Sequence, residues 1–167
     1  RAKRIVQLLR SKERFTLEEM RAMQADGYSE IYHQLAQLLV AHVQPANHRE
    51  QQALDYLRAW DGVIREESVA PSIIRETFRK LIDRTFRHKL GQAAGFIDYN
   101  KGIYLFLKLA QENRASEWFD DPATAEREEL DDMLTMGFKA ALEELTKAHG
   151  ADMSRWRWGE VVAKRKF

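Results

Sequence analysis

Trp60-Asp61-Gly62 joins the two long amphipathic segments from which we predict the fold. The indole of Trp60 can lie between two helices with its N–H bonded to a neighbour, and the carboxylate of Asp61 can accept backbone N–H groups. Gly62 can adopt the positive φ that ends a helix. We therefore interpret this tripeptide as a joint between helices and not as a catalytic motif.

The segment before the joint has the pattern of successive helices. Apolar residues recur at helical spacing in residues 1–11, and Thr16 and Glu19 have the spacing of a capping box that starts a second helix. This second helix is expected to continue to about residue 43, where Pro45 and Asn47 break it, and a further helix through Ala53, Leu54 and Leu57 ends at the joint. Its apolar face is predicted to contain Met20, Gln24, Gly27, Ile31, Leu35, Leu38 and His42.

The segment after the joint continues this pattern. Gly91, Gly95 and Gly102 mark a looser stretch, and residues 103–107 could form a buried strand by composition. Because the apolar pattern continues to residue 111, a helix is favoured there. Before the looser stretch, residues 68–89 predict a helix whose buried stripe contains Ile74, Phe78, Leu81, Ile82 and Phe86.

Asp121-Pro122 has the residue types that start a helix, and Gly150 is suited to end one. Glu126, Glu128 and Glu129 would then lie in the first turns, where the helix dipole favours negative charge. The sequence as a whole predicts an all-α fold of about six or seven helices. Its length suits one domain over residues 1–167.

Composition excludes several classes of function. Lys and Arg number 27 against 26 Asp and Glu, so no overall field draws the chain to nucleic acid. The absence of cysteine excludes disulfides, thiol catalysis and thiolate metal sites. The longest apolar runs are far shorter than the ~20 residues of a membrane-spanning helix, so no membrane span is expected. Because the chain begins with Arg1 and not with methionine, we expect it to be a piece of a longer product.

Two histidines invite a metal or catalytic interpretation. Glu30 and His33 have the Glu-x-x-His spacing of di-iron helical bundles, but the second such pair that those sites need is missing, so a solvated helix face is favoured. His42 falls on the predicted apolar face, where a hydrogen-bonded interior histidine is the simpler expectation. The sequence also contains no Gly-x-Ser-x-Gly elbow, phosphate loop or dinucleotide fingerprint. No metal-binding or cofactor-binding residue is therefore predicted.

One helix is locally basic, which leaves nucleic-acid binding as an alternative to a solvated or inter-domain face. Glu76 and Asp83 interrupt the basic run, so the second reading is favoured. Adjacent acidic pairs such as Glu128-Glu129 point about 100° apart on a helix and are interpreted as surface charges or caps. The basic residues are Arg75, Arg79, Lys80, Arg84, Arg87, His88 and Lys89.

A series of short motifs is spread along nearly the whole chain. They are Arg1-Ala2-Lys3-Arg4-Ile5, Leu8-Leu9, Phe15-Thr16, Met20, Gln24, Asp26, Trp60-Asp61-Gly62, Ser68, Ala70, Trp118-Phe119-Asp120-Asp121, Thr124 and Trp156-Arg157-Trp158-Gly159. In their order and spacing these motifs resemble the penicillin amidase family of N-terminal-nucleophile acylases. After the Trp-x-Trp-Gly motif, many members have a histidine where this sequence has Val162, which leaves the subgroup open.

The resemblance implies a helical fragment of the large subunit of a larger α+β enzyme that hydrolyses an acyl amide. The nucleophile would be an N-terminal serine outside this chain, and the fragment itself would be inactive. Arg1 would be the counterpart of an arginine that supports the oxyanion asparagine of the family. The implied partners are the small subunit, the rest of the large subunit and an acyl amide substrate. The implied location is periplasmic or extracellular.

The alternative to the acylase is a freestanding helical module that binds protein or nucleic acid. A fragment cut from a larger subunit should expose apolar surface and could self-associate. We expect this surface at residues 103–107 and at the pair Trp156 and Trp158.

Overall fold

The computed structural model describes residues 2–121 and 124–163. Within these residues a single isolated bridge, Tyr28 to Val63, is the only β pairing, and the all-α prediction is confirmed. A π-helical segment, Asp83–Arg87, continues α5, and 3₁₀ turns cover Gly91–Phe96 and Met153–Arg155. The α-helices are α1 (Ala2–Leu9), α2 (Leu17–Gln24), α3 (Glu30–His42), α4 (His48–Ala59), α5 (Ala70–Ile82), α6 (His88–Leu90), α7 (Tyr99–Glu112), α8 (Leu130–His149) and α9 (Trp158–Ala163).

The packing of α5 against α8 forms the centre of the core. Helices α3, α4 and α7 also pack against α5, so its sides are covered by neighbours. The stripe predicted for residues 68–89 is confirmed, because all five of its residues are buried. A Cβ atom on Gly137 of α8 would lie 2.5 Å from Cδ2 of Leu81, so the glycine permits the close approach of the two helices.

The joint between the two halves has the predicted chemistry. Nε1 of Trp60 donates to the carbonyl of Val63 at 2.8 Å, and the carboxylate of Asp61 accepts from the N–H of Val63 at 3.0 Å. Gly62 has φ +84°, and its carbonyl accepts from the N–H of Ser29 at 2.9 Å. Trp60 ends α4, so the tripeptide ends one helix and also bonds to the start of another.

The prediction of one long helix from residue 16 to residue 43 is wrong. The capping box of Thr16 and Glu19 is present, but α2 ends at Gln24 and α3 begins at Glu30. The break exists because the backbone between them pairs with the joint: the carbonyl of Gly27 accepts from the N–H of Ile64 at 3.0 Å. The two halves of the predicted apolar face are thereby separated, with Met20 exposed and Leu35 buried.

The second half differs from prediction at two helix boundaries. Residues 103–107 are helical as expected, but Gly102 lies inside α7 and not in a loop. Helix α8 begins at Leu130 and not at Asp121, because Glu129 and Asp132 form a capping box there. The first turn predicted at Asp121-Pro122 includes Pro122, which lies outside the described residues. Gly150 ends α8 with φ +88°, as predicted.

Candidate functional site

The Glu30 and His33 pair is not arranged as a metal site. The ring of His33 is half-buried beside the joint, 5.9 Å from that of Tyr28 and 6.3 Å from that of Trp60, and its Nε2 lies 3.2 Å from the side-chain amide of Gln37 on the exposed side. Glu30 accepts a hydrogen bond from Gln34. No group of three His, Cys, Asp or Glu side chains that could hold a metal ion occurs within residues 2–121 and 124–163.

His42 is not the interior histidine that the sequence predicted. Its side chain is 22% exposed, and Nδ1 lies 3.3 Å from a carboxylate oxygen of Asp131. Arg114 donates to the same carboxylate at 2.6 Å. Arg114 and Asp131 therefore form an ion pair beside the His42 ring at the edge of α3 and α8, and none of the three side chains is a hydroxyl or thiol nucleophile.

The basic residues of α5 and its π-helical continuation are mostly neutralised within the chain. Arg79 pairs with Glu76, and Arg87 pairs with Asp83, on the same helical stretch. Two further pairs, Lys80 with Glu144 at 3.3 Å and Arg84 with Asp121 at 3.6 Å, reach other elements. A nucleic-acid surface needs cations that are free to bind phosphate. Because most of these cations are paired within the chain, the arrangement argues against the nucleic-acid alternative.

Arg75 differs from these cations, since its guanidinium carbon lies 5.8 Å from the centre of the Trp158 ring. Its carbonyl accepts from the hydroxyl of Tyr99 at 3.4 Å, and that hydroxyl lies 3.1 Å from the hydroxyl of Tyr32. Burial raises the pKa of both Tyr32 and Tyr99. Both phenols therefore stay protonated at neutral pH and cannot serve as bases.

The loop around Trp118-Phe119-Asp120-Asp121 is held in place by Glu128. This carboxylate accepts from the N–H of Asp121 at 2.9 Å and from the hydroxyl of Thr124, and these bonds lower the pKa of Glu128. Phe119 is fully buried. The sequence placed Glu128 in the first turn of a helix, but its role is to order the loop that precedes that helix.

The Trp156-Arg157-Trp158-Gly159 motif attaches the start of α9 to the region after the joint. Trp156 is fully buried and donates from Nε1 to the carbonyl of Gly150 at 2.9 Å. The N–H groups of Trp158 and Gly159 bond to the carbonyls of Ser68 and Glu66 at 2.8 and 2.9 Å. The expectation that the tryptophan pair forms exposed apolar surface is therefore wrong for Trp156, whereas Trp158 is half-buried.

Residues 103–107 also contribute less exposed surface than expected. Ile103, Phe106 and Leu107 are buried, whereas Tyr104 is 65% and Leu105 37% exposed. The run therefore has three side chains on the core face of α7 and two on its solvent face.

A groove of about 550 Å³ lies between α1 and the link from α2 to α3. Arg4 spans it, donating from Nε to Asp26 at 2.7 Å, with its guanidinium carbon 4.8 Å from the centre of the Tyr28 ring. The bond to Asp26 raises the pKa of Arg4. Apolar side chains, among them Leu8 and Met23, line the walls.

The groove has the chemistry of a binding surface and not of a catalytic centre. Among the described residues that line it, the one serine is Ser29, whose hydroxyl accepts from the N–H of Tyr32 at the start of α3, and none is a histidine. Arg1, the one residue predicted to act near a catalytic site, lies outside the described residues, while Lys3 and Arg4 next to it line the groove.

One family model matches almost the whole chain, and a solved structure has a similar fold. The model of the penicillin amidase family matches residues 1–165. A solved structure of a thermostable penicillin G acylase from Alcaligenes faecalis is similar in fold, with a TM-score of 0.64 at 15% identity. The match covers 92% of this chain and 32% of the acylase chain, so this chain spans about a third of that protein. No curated protein sequence matches the chain.

Proposed function

Because the chain belongs to the penicillin amidase family, we propose that it is a helical part of an acylase that hydrolyses an acyl amide bond. The nucleophile in this proposal is an N-terminal serine that lies outside the chain, and its own α-amino group acts as the base. The chain by itself is inactive. Its helices support and cover the cleft in which the rest of the enzyme carries out the reaction.

The observation that carries the proposal is that the family match covers nearly the whole chain, while His33 and His42 make structural contacts and not catalytic ones. The match extends over residues 1–165, yet the histidines discussed above are engaged with aromatic rings or with an ion pair. Acyl transfer needs a nucleophile, a base and an oxyanion donor in mutual contact. This contrast supports the proposal that the nucleophile lies outside the described residues.

Three finer parts of the proposal follow from the family. The substrate is an acyl amide such as a penicillin or an acyl-homoserine lactone. The partners are the small subunit and the N-terminal part of the large subunit. The location is the periplasm or the cell exterior, and no helix among residues 2–121 and 124–163 is long and apolar enough to cross a membrane.

Expression of the full-length gene product tests the proposal. We expect an internal cut that exposes an N-terminal serine, which N-terminal sequencing of the mature subunits would identify. The mature enzyme should hydrolyse a chromogenic phenylacetyl or acyl-lactone substrate, and substitution of that serine by alanine should abolish the activity. The matched control is this chain alone, which should release chromophore no faster than buffer.

Two results would contradict the proposal. A gene product in which no internal cut exposes a serine as a new N-terminus would favour the freestanding helical module. Turnover by this chain alone, lost on substitution of a residue within it, would place the chemistry among its own side chains.

A further inference from the structure

The joint contains an Asp-Gly pair, which is the two-residue sequence at which a peptide backbone isomerises most readily. The amide nitrogen of a glycine can attack the carboxyl carbon of the aspartate before it, because no Cβ atom hinders the approach. The side chain of Asp61 is 53% exposed, so water reaches its carboxyl group. The N–H of Gly62 has no hydrogen-bond acceptor within residues 2–121 and 124–163. Both reacting groups are therefore adjacent and accessible.

The reaction exchanges one bond at the carboxyl carbon of Asp61 for another. The nitrogen of Gly62 bonds to Cγ and loses its proton, the Cγ–OH bond breaks, and the hydroxyl group leaves with that proton as water. A second water molecule then opens the five-membered imide at one of its two carbonyl groups. Opening at Cγ restores aspartate. Opening at the backbone carbonyl leaves the main chain running through Cβ, which is isoaspartate.

Arg65 opposes this reaction by keeping the carboxyl group ionised. It donates from Nη1 to Oδ1 of Asp61 at 3.0 Å and from Nη2 to Oδ2 at 2.8 Å, while the N–H of Val63 donates to Oδ1 at 3.0 Å. These bonds, those of Arg65 first, lower the pKa of Asp61 to about 2. Only a protonated carboxyl group can readily release water. At pH 5, about seventyfold fewer folded carboxyls are protonated than unfolded ones of pKa ~3.9.

Isoaspartate at this position would disturb the link between α2 and α3. It adds one methylene group to the main chain directly before Gly62. The carbonyl of Gly62 accepts from the N–H of Ser29 at 2.9 Å, and Val63 forms the isolated bridge with Tyr28. Both contacts depend on where the main chain runs, so a longer backbone would displace them and change the shape of the groove beside them.

We propose that Asp61 is a site of isoaspartate formation and that the guanidinium group of Arg65 keeps this modification slow. Exposed ion pairs contribute little to folding stability. Arg58 and Asp55 form another exposed pair, at 2.7 Å, but tyrosine and not glycine follows that aspartate. Protection of the carboxyl group is therefore a role that the pair at the joint has and the pair on α4 lacks.

Ageing of the full-length gene product at pH 5 tests the proposal. Isoaspartate at position 61 is measured by mass spectrometry with electron-transfer fragmentation. The wild-type protein should form it at least about tenfold more slowly than a synthetic peptide of residues 59–65. Arg65→Met should accelerate its formation at least about fivefold, because the bond from Val63 alone remains. Arg58→Met is the matched control and should leave the rate unchanged.

Three results would overturn the proposal. They are a wild-type rate equal to that of the peptide, a rate in Arg65→Met equal to that of the wild type, and the same acceleration in Arg58→Met. Arg65→Lys keeps the charge but not the two parallel bonds, so its rate should lie between those of the wild type and Arg65→Met.

Hydrogen exchange at the amides of Ser29 and Ile64 distinguishes protection of the carboxyl group from loosening of the joint. In Arg65→Met these amides should exchange as in the wild type while isoaspartate forms faster. If their exchange accelerates by the same factor as isoaspartate formation, the backbone of the joint limits the reaction and the role of Arg65 is overturned. None of these measurements requires an acyl amide substrate, so the outcome is independent of the proposed function.

Discussion

Gly137→Ala should destabilise the chain, although alanine is the better helix former. The added Cβ would lie 2.5 Å from Cδ2 and 2.8 Å from Cγ of Leu81, where ordinary carbon contacts are ~3.5–4.0 Å. Leu81 is fully buried, so it must shift by about 1 Å within a close-packed core, at a cost of ~1–3 kcal/mol. The helical gain of alanine over glycine is ~1 kcal/mol. The net loss of unfolding free energy is therefore about 0–2 kcal/mol.

The same substitution should change sign when Leu81 is first truncated. Leu81→Ala removes both atoms in the close contact, and the next atom, the backbone nitrogen of Leu81, would lie 3.7 Å away. Leu81→Ala alone should cost ~2–5 kcal/mol. In that background, Gly137→Ala should stabilise by up to ~1 kcal/mol, because only its helical gain remains.

Urea unfolding of the four proteins, followed by far-ultraviolet circular dichroism, completes this double-mutant cycle. The expected coupling between the two positions is about 1–3 kcal/mol. The reasoning is refuted if Gly137→Ala stabilises the wild-type chain. It is equally refuted if the substitution has the same effect in both backgrounds, because the contact with Leu81 would then not determine its cost.

Three further predictions concern the joint and the loop that Glu128 holds. Gly62→Ala should destabilise the chain more than Gly150→Ala. Both glycines have positive φ, but only a Cβ atom at position 62 would lie 2.4 Å from another side chain, that of Tyr28. Equal losses of unfolding free energy in urea would show that this contact has no effect. Bonds from Arg65 and then from the Val63 N–H lower the pKa of Asp61 to about 2, so the folded carboxyl binds fewer protons than the unfolded one. Stability from this group is present above its unfolded pKa of ~3.9 and is lost as pH falls toward 2. The unfolding temperature should fall less over this range in Asp61→Asn, and identical profiles would exclude the linkage. Glu128→Ala should accelerate hydrogen exchange in residues 116–121 and leave exchange in α8 unchanged. If exchange in residues 116–121 stays as slow as in the wild-type chain, the carboxylate does not order the loop.

Local rules predicted much of the fold. The capping box at Thr16 and Glu19, the end of α8 at Gly150 and the hydrogen bonds of Trp60 each depend on residues within six positions of one another. The all-α class follows from the same short-range periodicity. Such features depend on backbone groups that neighbouring side chains reach in almost any context, so sequence spacing suffices to identify them.

The wrong predictions share a cause, since each of these residues bonds to a partner from another element or makes a competing local bond. The break between α2 and α3 occurs because Gly27 pairs with Ile64, which is 37 positions away in the chain. Glu128 suits the first turn of a helix, but it bonds to the loop before α8. The position of His42 beside Asp131 likewise needs α3 and α8 to be packed together.

The helical class, the joint at Trp60-Asp61-Gly62 and the resemblance to the family can be predicted from the sequence, because periodicity, caps and motifs are properties of order along the chain. Which apolar residues are covered depends instead on how the helices pack. Residues 103–107 and Ile5 with Leu9 are similarly apolar in the sequence, yet three residues of the first run are buried while Ile5 and Leu9 are exposed. The difference arises because α7 packs on α5, whereas α1 makes no comparably extensive contact with another helix among the described residues.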